Sequence, residues 1–131
     1  MPTLGLMSPA TASKAQASAG GAYPLHRPTI CQVLHGLTVG GAEVLACQLA
    51  RSLSERFHFV FACLDEVGSL GAELRQEGIR VECLQRRAGF DRACARRLAA
   101  WIRSTGAALV HAHQYTPFFY ALASGIMRRR P

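Results

Sequence analysis

Beyond residue 28 the chain alternates between short β-rich apolar runs and longer segments whose apolar residues recur at helical spacing. The strand-like runs are "TICQVLH" (29–35), "FHFVFACL" (57–64), "IRVECL" (79–84) and "ALVHAH" (108–113). Helices are expected between and after them. "AEVLACQLARSLSER" (42–56) carries Leu45, Leu49 and Leu53 on one stripe. "SLGAELRQEG" (69–78) has Ser69 as an N-cap and Gly78 as its stop. "DRACARRLAAWIRSTG" (91–106) is capped by Asp91, ends at Gly106 and carries a stripe of Cys94, Leu98, Trp101 and Ile102. Thr116 and Pro117 open "PFFYALASGIM" as cap and first helical residue, with Arg128 to Arg130 at its C-terminal end. Strands that alternate with helices of this length predict an α/β fold, a Rossmann-like parallel sheet flanked by helices. Right-handed crossovers wind strands one to three outward one way, and the fourth returns to the other side of the first. Ligands of such sheets bind at the carboxyl ends of the two strands flanking that switch point.

Two stretches meet there. The first strand hands over to its helix through "GLTVGGAE", with Gly40 and Gly41 adjacent. A helix N-terminus presents free N–H groups and a positive dipole end, and glycine lets a phosphate-bearing ligand come close. A tight turn with close helix–strand packing accounts for the same pair. Neither GxGxxG nor GxxxxGK[ST] is present, although Asp65 and Glu66 do end the second strand. Glu43, in the first helical turn, complements the dipole or contacts a ligand hydroxyl. At the end of the fourth strand stands "HAHQYTPFFY". His111 and His113 are two apart, so they face the same side of a strand. One reading makes one of them a buried, satisfied group. Another makes His113, nearest the crevice, a polar contact or proton handler. Without a carboxylate or Cys beside them, no metal site is expected. His35, ending strand one, reaches toward the same crevice.

Composition narrows the partners. The net charge is +7, and all but one of the 15 basic residues are Arg. Arg92, Arg96 and Arg103 share one face of the third helix, with Arg86, Arg87 and Arg97 near. Such a face is solvated, or it rests on an anionic lipid surface. Nucleic acid is not expected, because aromatics do not interleave with the arginines. Five cysteines without a CxxC pair read as reduced, buried thiols of a cytoplasmic protein. No apolar run approaches the roughly 20 residues of a spanning helix, and the first residues lack the basic start of a signal peptide. Residues 1–28, rich in Ala, Ser, Gly and Pro, are expected to form a disordered leader, with one domain over 29–131.

"VLHGLTVGGAEVLACQLARSL", followed by "LVHAHQYTPFFYALAS", resembles the N-terminal half of retaining, GT-B-fold glycosyltransferases of family 4. The resemblance implies a nucleotide-sugar donor, taken as substrate rather than cofactor, held between two Rossmann-like domains, and a sugar or lipid-linked acceptor. It places Gly40 and Gly41 beside the donor diphosphate and His113 in the catalytic cleft. Glu43, His35, Gln114 and Thr116 complete the implied ligand-binding set. It further implies that no metal is needed and that the protein sits peripherally on a membrane through a basic surface. The family's C-terminal domain, which carries most donor contacts, has no counterpart in this chain. A fragment inactive alone, with one open sheet edge, is therefore expected. The reading kept beside it is a small phosphate-ligand or nucleotide-binding α/β module without catalysis.

Overall fold

The computed structural model describes residues 26–128. The leader expected over 1–28 falls, up to residue 25, outside the described residues, as do Arg129 and Arg130. The elements run β1 (Thr29–Gly36), α1 (Gly41–Ser52), β2 (His58–Glu66), α2 (Gly68–Gln76), β3 (Arg80–Cys83), α3 (Arg92–Thr105), β4 (Ala107–Ala112) and α4 (Tyr115–Ala123). A short 3-10 turn, Ile126–Arg128, follows. The four strands form one parallel sheet in the order β3-β2-β1-β4, so the expected Rossmann-like α/β architecture and its switch point are both present.

Both faces of β1 and β2 are buried, which is why their sequences are nearly continuous apolar runs. On one face Ile30, Leu34, Phe59, Phe61 and Cys63 pack under α1 and α2. On the other, Cys31, Val33, Val60, Ala62 and Leu64 pack under α3 and α4. Each large side chain so buried contributes about 1.5–3 kcal/mol. Four of the five free cysteines belong to these two layers. Burial pushes the thiols of Cys31 and Cys63 up to about 12, so they behave as small apolar groups.

α1 differs from expectation. It meets the sheet through Ala46, Cys47 and Ala50, while Leu45 is exposed and Leu53 only borders the core. The small residues let the helix axis approach the strands, and the leucines flank that contact. The helix also ends at Ser52, so 53–56 form turns. α3 follows expectation: the Asp91 carboxylate accepts from Cys94 N, and Gly106 closes the helix in the left-handed region. α2 begins at Gly68 after Val67, so Ser69 is not its cap, although Gly78 stops it at φ +83°. α4 begins at Tyr115 after Gln114, which displaces Thr116 as the cap and puts Pro117 in the first turn, where its missing N–H costs no helix bond. It ends at Ala123, so Arg128 lies in the following 3-10 turn and not on the helix end.

The two sheet edges are unlike. β3 is four residues long and carries Arg80 and Glu82, charges that discourage further pairing. β4 carries no Asp, Glu, Lys or Arg, and Leu109 is exposed on it. Among the described residues nothing pairs with this edge, as expected.

The loop leaving β1 is fixed by one close approach. Leu37 is fully buried, its carbonyl accepts from Leu70 N at 2.9 Å, and the backbone of Gly68 lies against it. Gly68 has φ +68°, and a Cβ there would sit against the Leu37 carbonyl and 2.6 Å from Thr38 N. Gly68→Ala is therefore expected to lower unfolding stability by more than about 1 kcal/mol, measured by urea denaturation. An unchanged midpoint would show that the α2 start can move without cost.

Candidate functional site

The carboxyl ends of β1 and β4 lie side by side, and each strand feeds directly into a helix N-terminus, α1 after Gly40 and α4 after Gln114. Neither helix has a side-chain cap. Their first-turn N–H groups stand where an anion gains from the dipole.

The glycines separate two explanations left open by the sequence. Gly40 has φ −161°, an extended conformation open to any residue, and a Cβ there would meet only the tip of Glu43, which folds back over it. Gly41 lacks a positive φ, and a Cβ built on it meets nothing within 4 Å. Neither close packing nor backbone conformation requires glycine at 41. Open space in front of the helix N-terminus is what remains.

His113 sits opposite, just past β4, with its N–H bonded to Val33 O at 2.9 Å. Its ring is buried, and Nε2 lies 2.7 Å from Gln32 Oε1. An amide oxygen only accepts, so Nε2 carries the hydrogen and Nδ1 keeps a lone pair. Burial, joined by the charge of His111, lowers the affinity of His113 for a second proton, and Glu43 opposes both. His111 shares the face of His113, as expected, with its ring 4.2 Å away, but the two differ in burial. His111 is exposed at the sheet edge and His113 is buried. The cause is lateral: α1 covers β1 and β2, not the α1 side of β4.

Gln114 has φ 72° and ψ 173°, a region nearly reserved for glycine, at a typical cost of about 1–3 kcal/mol. Such strain between His113 and the α4 N-terminus is typical of working sites. Gln114 and Thr116 make no side-chain hydrogen bond among the described residues. His35 belongs to a different cluster: it bonds Asp65, which also holds Arg86, and none of its contacts leads to His113. Asp65 was noted in the sequence only as an acid ending strand two and Arg86 only as part of a basic face, and Gln32 was not singled out. Gln32 had a signal, a polar residue in a run otherwise apolar enough to be buried on both faces. Among the described residues no three His, Cys, Asp or Glu converge as metal ligands.

Of the arginines expected on a common face, Arg92, Arg96 and Arg103 are exposed without an acidic partner among the described residues. Arg86 is taken up by Asp65, and Arg97 bonds Leu84 O and Asp91. They do not join the free face.

The buried His113 has a pH consequence. Its proton affinity is lower folded than unfolded, so the unfolded chain binds more protons as the pH falls below about 6.5, the ordinary value. Stability is full above that pH and declines as the pH falls through the lowered folded value. In His113→Gln this part of the slope of midpoint against pH should vanish, as urea titrations across mildly acidic pH can test. A slope identical to the parent would mean that His113 stays accessible to protons.

The chain matches the family model described as Glycosyltransferase Family 4 over residues 39–131, from the glycine loop through α4. No curated protein matches it. The crystal structure of a glycosyltransferase from Rickettsia africae ESF-5 shares the fold, with TM-score 0.60 and 21% identity, over 76% of this chain and 27% of that one. The chain thus spans little more than a quarter of that structure's length. With the Gly40–Gly41 pair, the elements from α1 to α4 and His113 all inside the matched segment, the chain belongs to glycosyltransferase family 4.

Proposed function

We propose that this chain is the acceptor-side, N-terminal part of a retaining, GT-B-type glycosyltransferase that uses a nucleotide-sugar donor. The observation that carries the reading is Gly41, a glycine that neither packing nor conformation calls for, at an uncapped helix N-terminus facing open space. The donor diphosphate lies against the N–H groups of Gly40 and Gly41, where a helix start favours negative charge. Glu43 must then swing off Gly40, and it takes a donor or acceptor hydroxyl. His113, neutral and with Nε2–H held by Gln32, acts in the cleft through Nδ1. Gln114 and Thr116 line the α4 side and His35 the β1 side. The donor is a substrate, and no resident metal is required.

The open edge of β4 and the small share of the Rickettsia africae structure that is covered support a chain that works with a further domain. By itself it transfers no sugar, since water is not excluded from a one-sided cleft. Joined to a family 4 C-terminal domain, the Gly41→Ala variant should fold at least as well as the parent, because alanine is the better helix former. Gly41→Val should abolish transfer with native circular dichroism. His113→Ala should lower turnover by about 10²–10⁴-fold, the range of a positioned proton-handling group. Full activity of Gly41→Val would return the glycine to a packing role. Diphosphate binding without any transfer would favour a ligand-binding module.

We place the protein in the cytoplasm, at the surface of an anionic membrane that supplies a lipid-linked acceptor. The five free thiols support a reducing compartment. No helix among the described residues is long and apolar enough to cross a membrane. The unpaired Arg92 and Arg96, which line one surface cavity with the exposed Phe90, and the unpaired Arg103 on the same helix support contact with lipid headgroups. The chain should cosediment with phosphatidylglycerol vesicles and not with phosphatidylcholine. Reversal of Arg92 and Arg96 to Glu should weaken this by more than about tenfold, at about 1 kcal/mol per cation. Equal sedimentation of parent and variant would remove the membrane contact.

A further inference from the structure

Resting on that reading, we propose that His35 is a hydroxyl-binding residue of the site, and that Asp65 and Arg86 are positioning residues that decide which of its ring nitrogens meets the ligand. Asp65 Oδ1 accepts from Arg86 Nε at 2.8 Å, and Oδ2 accepts from Arg86 Nη2 at 3.1 Å and from His35 Nδ1 at 3.2 Å. A carboxylate offers lone pairs only, so Nδ1 of His35 must carry the hydrogen. The neutral ring then bears its lone pair on Nε2. A histidine free in water favours the opposite arrangement, so the tautomer is imposed by the fold. The ring is 35% exposed, at the carboxyl end of β1 and one residue before the loop that leads to Gly40.

Asp65 is kept ionised for this task. Burial works to protonate it, but the hydrogen bonds from Arg86 and His35 outweigh burial and hold its carboxyl below the usual range. Arg86 in turn is not free to grasp a ligand. Its fork is spent on Asp65, and its guanidinium lies over the Tyr120 ring, 5.8 Å from the centroid. Tyr120 is itself tied down, with its hydroxyl accepting from Asp91 N at 2.9 Å and donating to Gly89 O at 3.3 Å. The chain of contacts runs from β1 through β2 and the β3–α3 loop to α4.

The chemistry of the remaining ring nitrogen selects the ligand group. A lone pair cannot bond an ionised phosphate oxygen, which has no hydrogen to give. It accepts a hydroxyl hydrogen, from a sugar ring or from the ribose of a nucleotide. His35 therefore supplies an acceptor at the same end of the sheet where the start of α1 supplies free N–H donors.

Long-range nitrogen–proton NMR on this chain, at a pH where His35 is neutral, reads the tautomer directly. The expected result is hydrogen on Nδ1 in the parent and in Arg86→Gln, which retains the carboxylate, and a shift toward Nε2–H in Asp65→Ala. Hydrogen on Nε2 in the parent overturns the proposal even if a variant fails to fold. Titration with methyl α-glucopyranoside and, separately, with uridine 5′-diphosphate should move the Nε2 resonance. A response to the glycoside identifies a sugar hydroxyl, and one to the nucleotide a ribose hydroxyl. His35→Phe should weaken the responding ligand by about tenfold, the worth of one neutral hydrogen bond. Nucleotide shifts at the Gly40 and Gly41 amides with no response at His35 to either ligand overturn the hydroxyl role and leave the proposed function standing. Glycoside shifts at His35 without nucleotide shifts at those amides keep the role and sink the donor-loop assignment.

Discussion

Everything in this molecule hangs on β1 being paired along both edges. Thr29–Gly36 is bonded to β2 on one side and β4 on the other, with helices over both faces. A parallel strand so enclosed cannot end in a hairpin. Its chain must leave through a loop at the carboxyl end and return as a helix. Two such exits, from β1 and β4, necessarily lie together where the winding reverses. The crevice between them follows from topology before any side chain is chosen. The side chains then decide what it holds.

Three glycines near that crevice show how different the reasons for one residue type can be. Gly68 is needed twice over, by its positive φ and by the Leu37 carbonyl against it. Gly40 yields only to the movable tip of Glu43. Gly41 answers to nothing inside the described structure. In the sequence the adjacent pair stood out and Gly68 passed unnoticed in the connection between strand two and helix two, because a close approach between distant segments leaves no local trace. Folding therefore explains Gly68 and not Gly41, which is why the proposed donor site is built on Gly41.

The period of apolar residues made the element order, the sheet order and the caps of α3 legible. These are local or topological properties. The rotation of α1 was not legible, since Leu45 and Leu49 outweigh Ala46 and Ala50 in any hydrophobic pattern while the sheet prefers the smaller pair for close contact. Nor was the start of α4, where the strained Gln114 takes the position that Thr116 and Pro117 would ordinarily fill. Local preference predicts the cheaper arrangement, and here the backbone adopts the costlier one beside the site. His111 and His113 were legible as a pair on one face. Which of them is buried depends on how far α1 reaches across the sheet, a fact of tertiary packing.

The two histidines at the strand ends are set in opposite senses. His113 gives its Nε2–H to an amide and retains Nδ1, whereas His35 gives its Nδ1–H to a carboxylate and retains Nε2. Their residues alternate on β1: Gln32 shares the face of Ile30 and Leu34, and His35 that of Cys31 and Val33. Each anchor thus comes from a different layer of the sheet. Two acceptor nitrogens thus stand at the end of the sheet where the uncapped start of α1 presents free N–H groups. A ligand with a charged diphosphate and several hydroxyls satisfies both kinds of group at once, whereas inorganic phosphate satisfies only the loop. The proposal of a sugar-bearing nucleotide, and not a simple anion, rests on this division of donors and acceptors more than on the basic net charge.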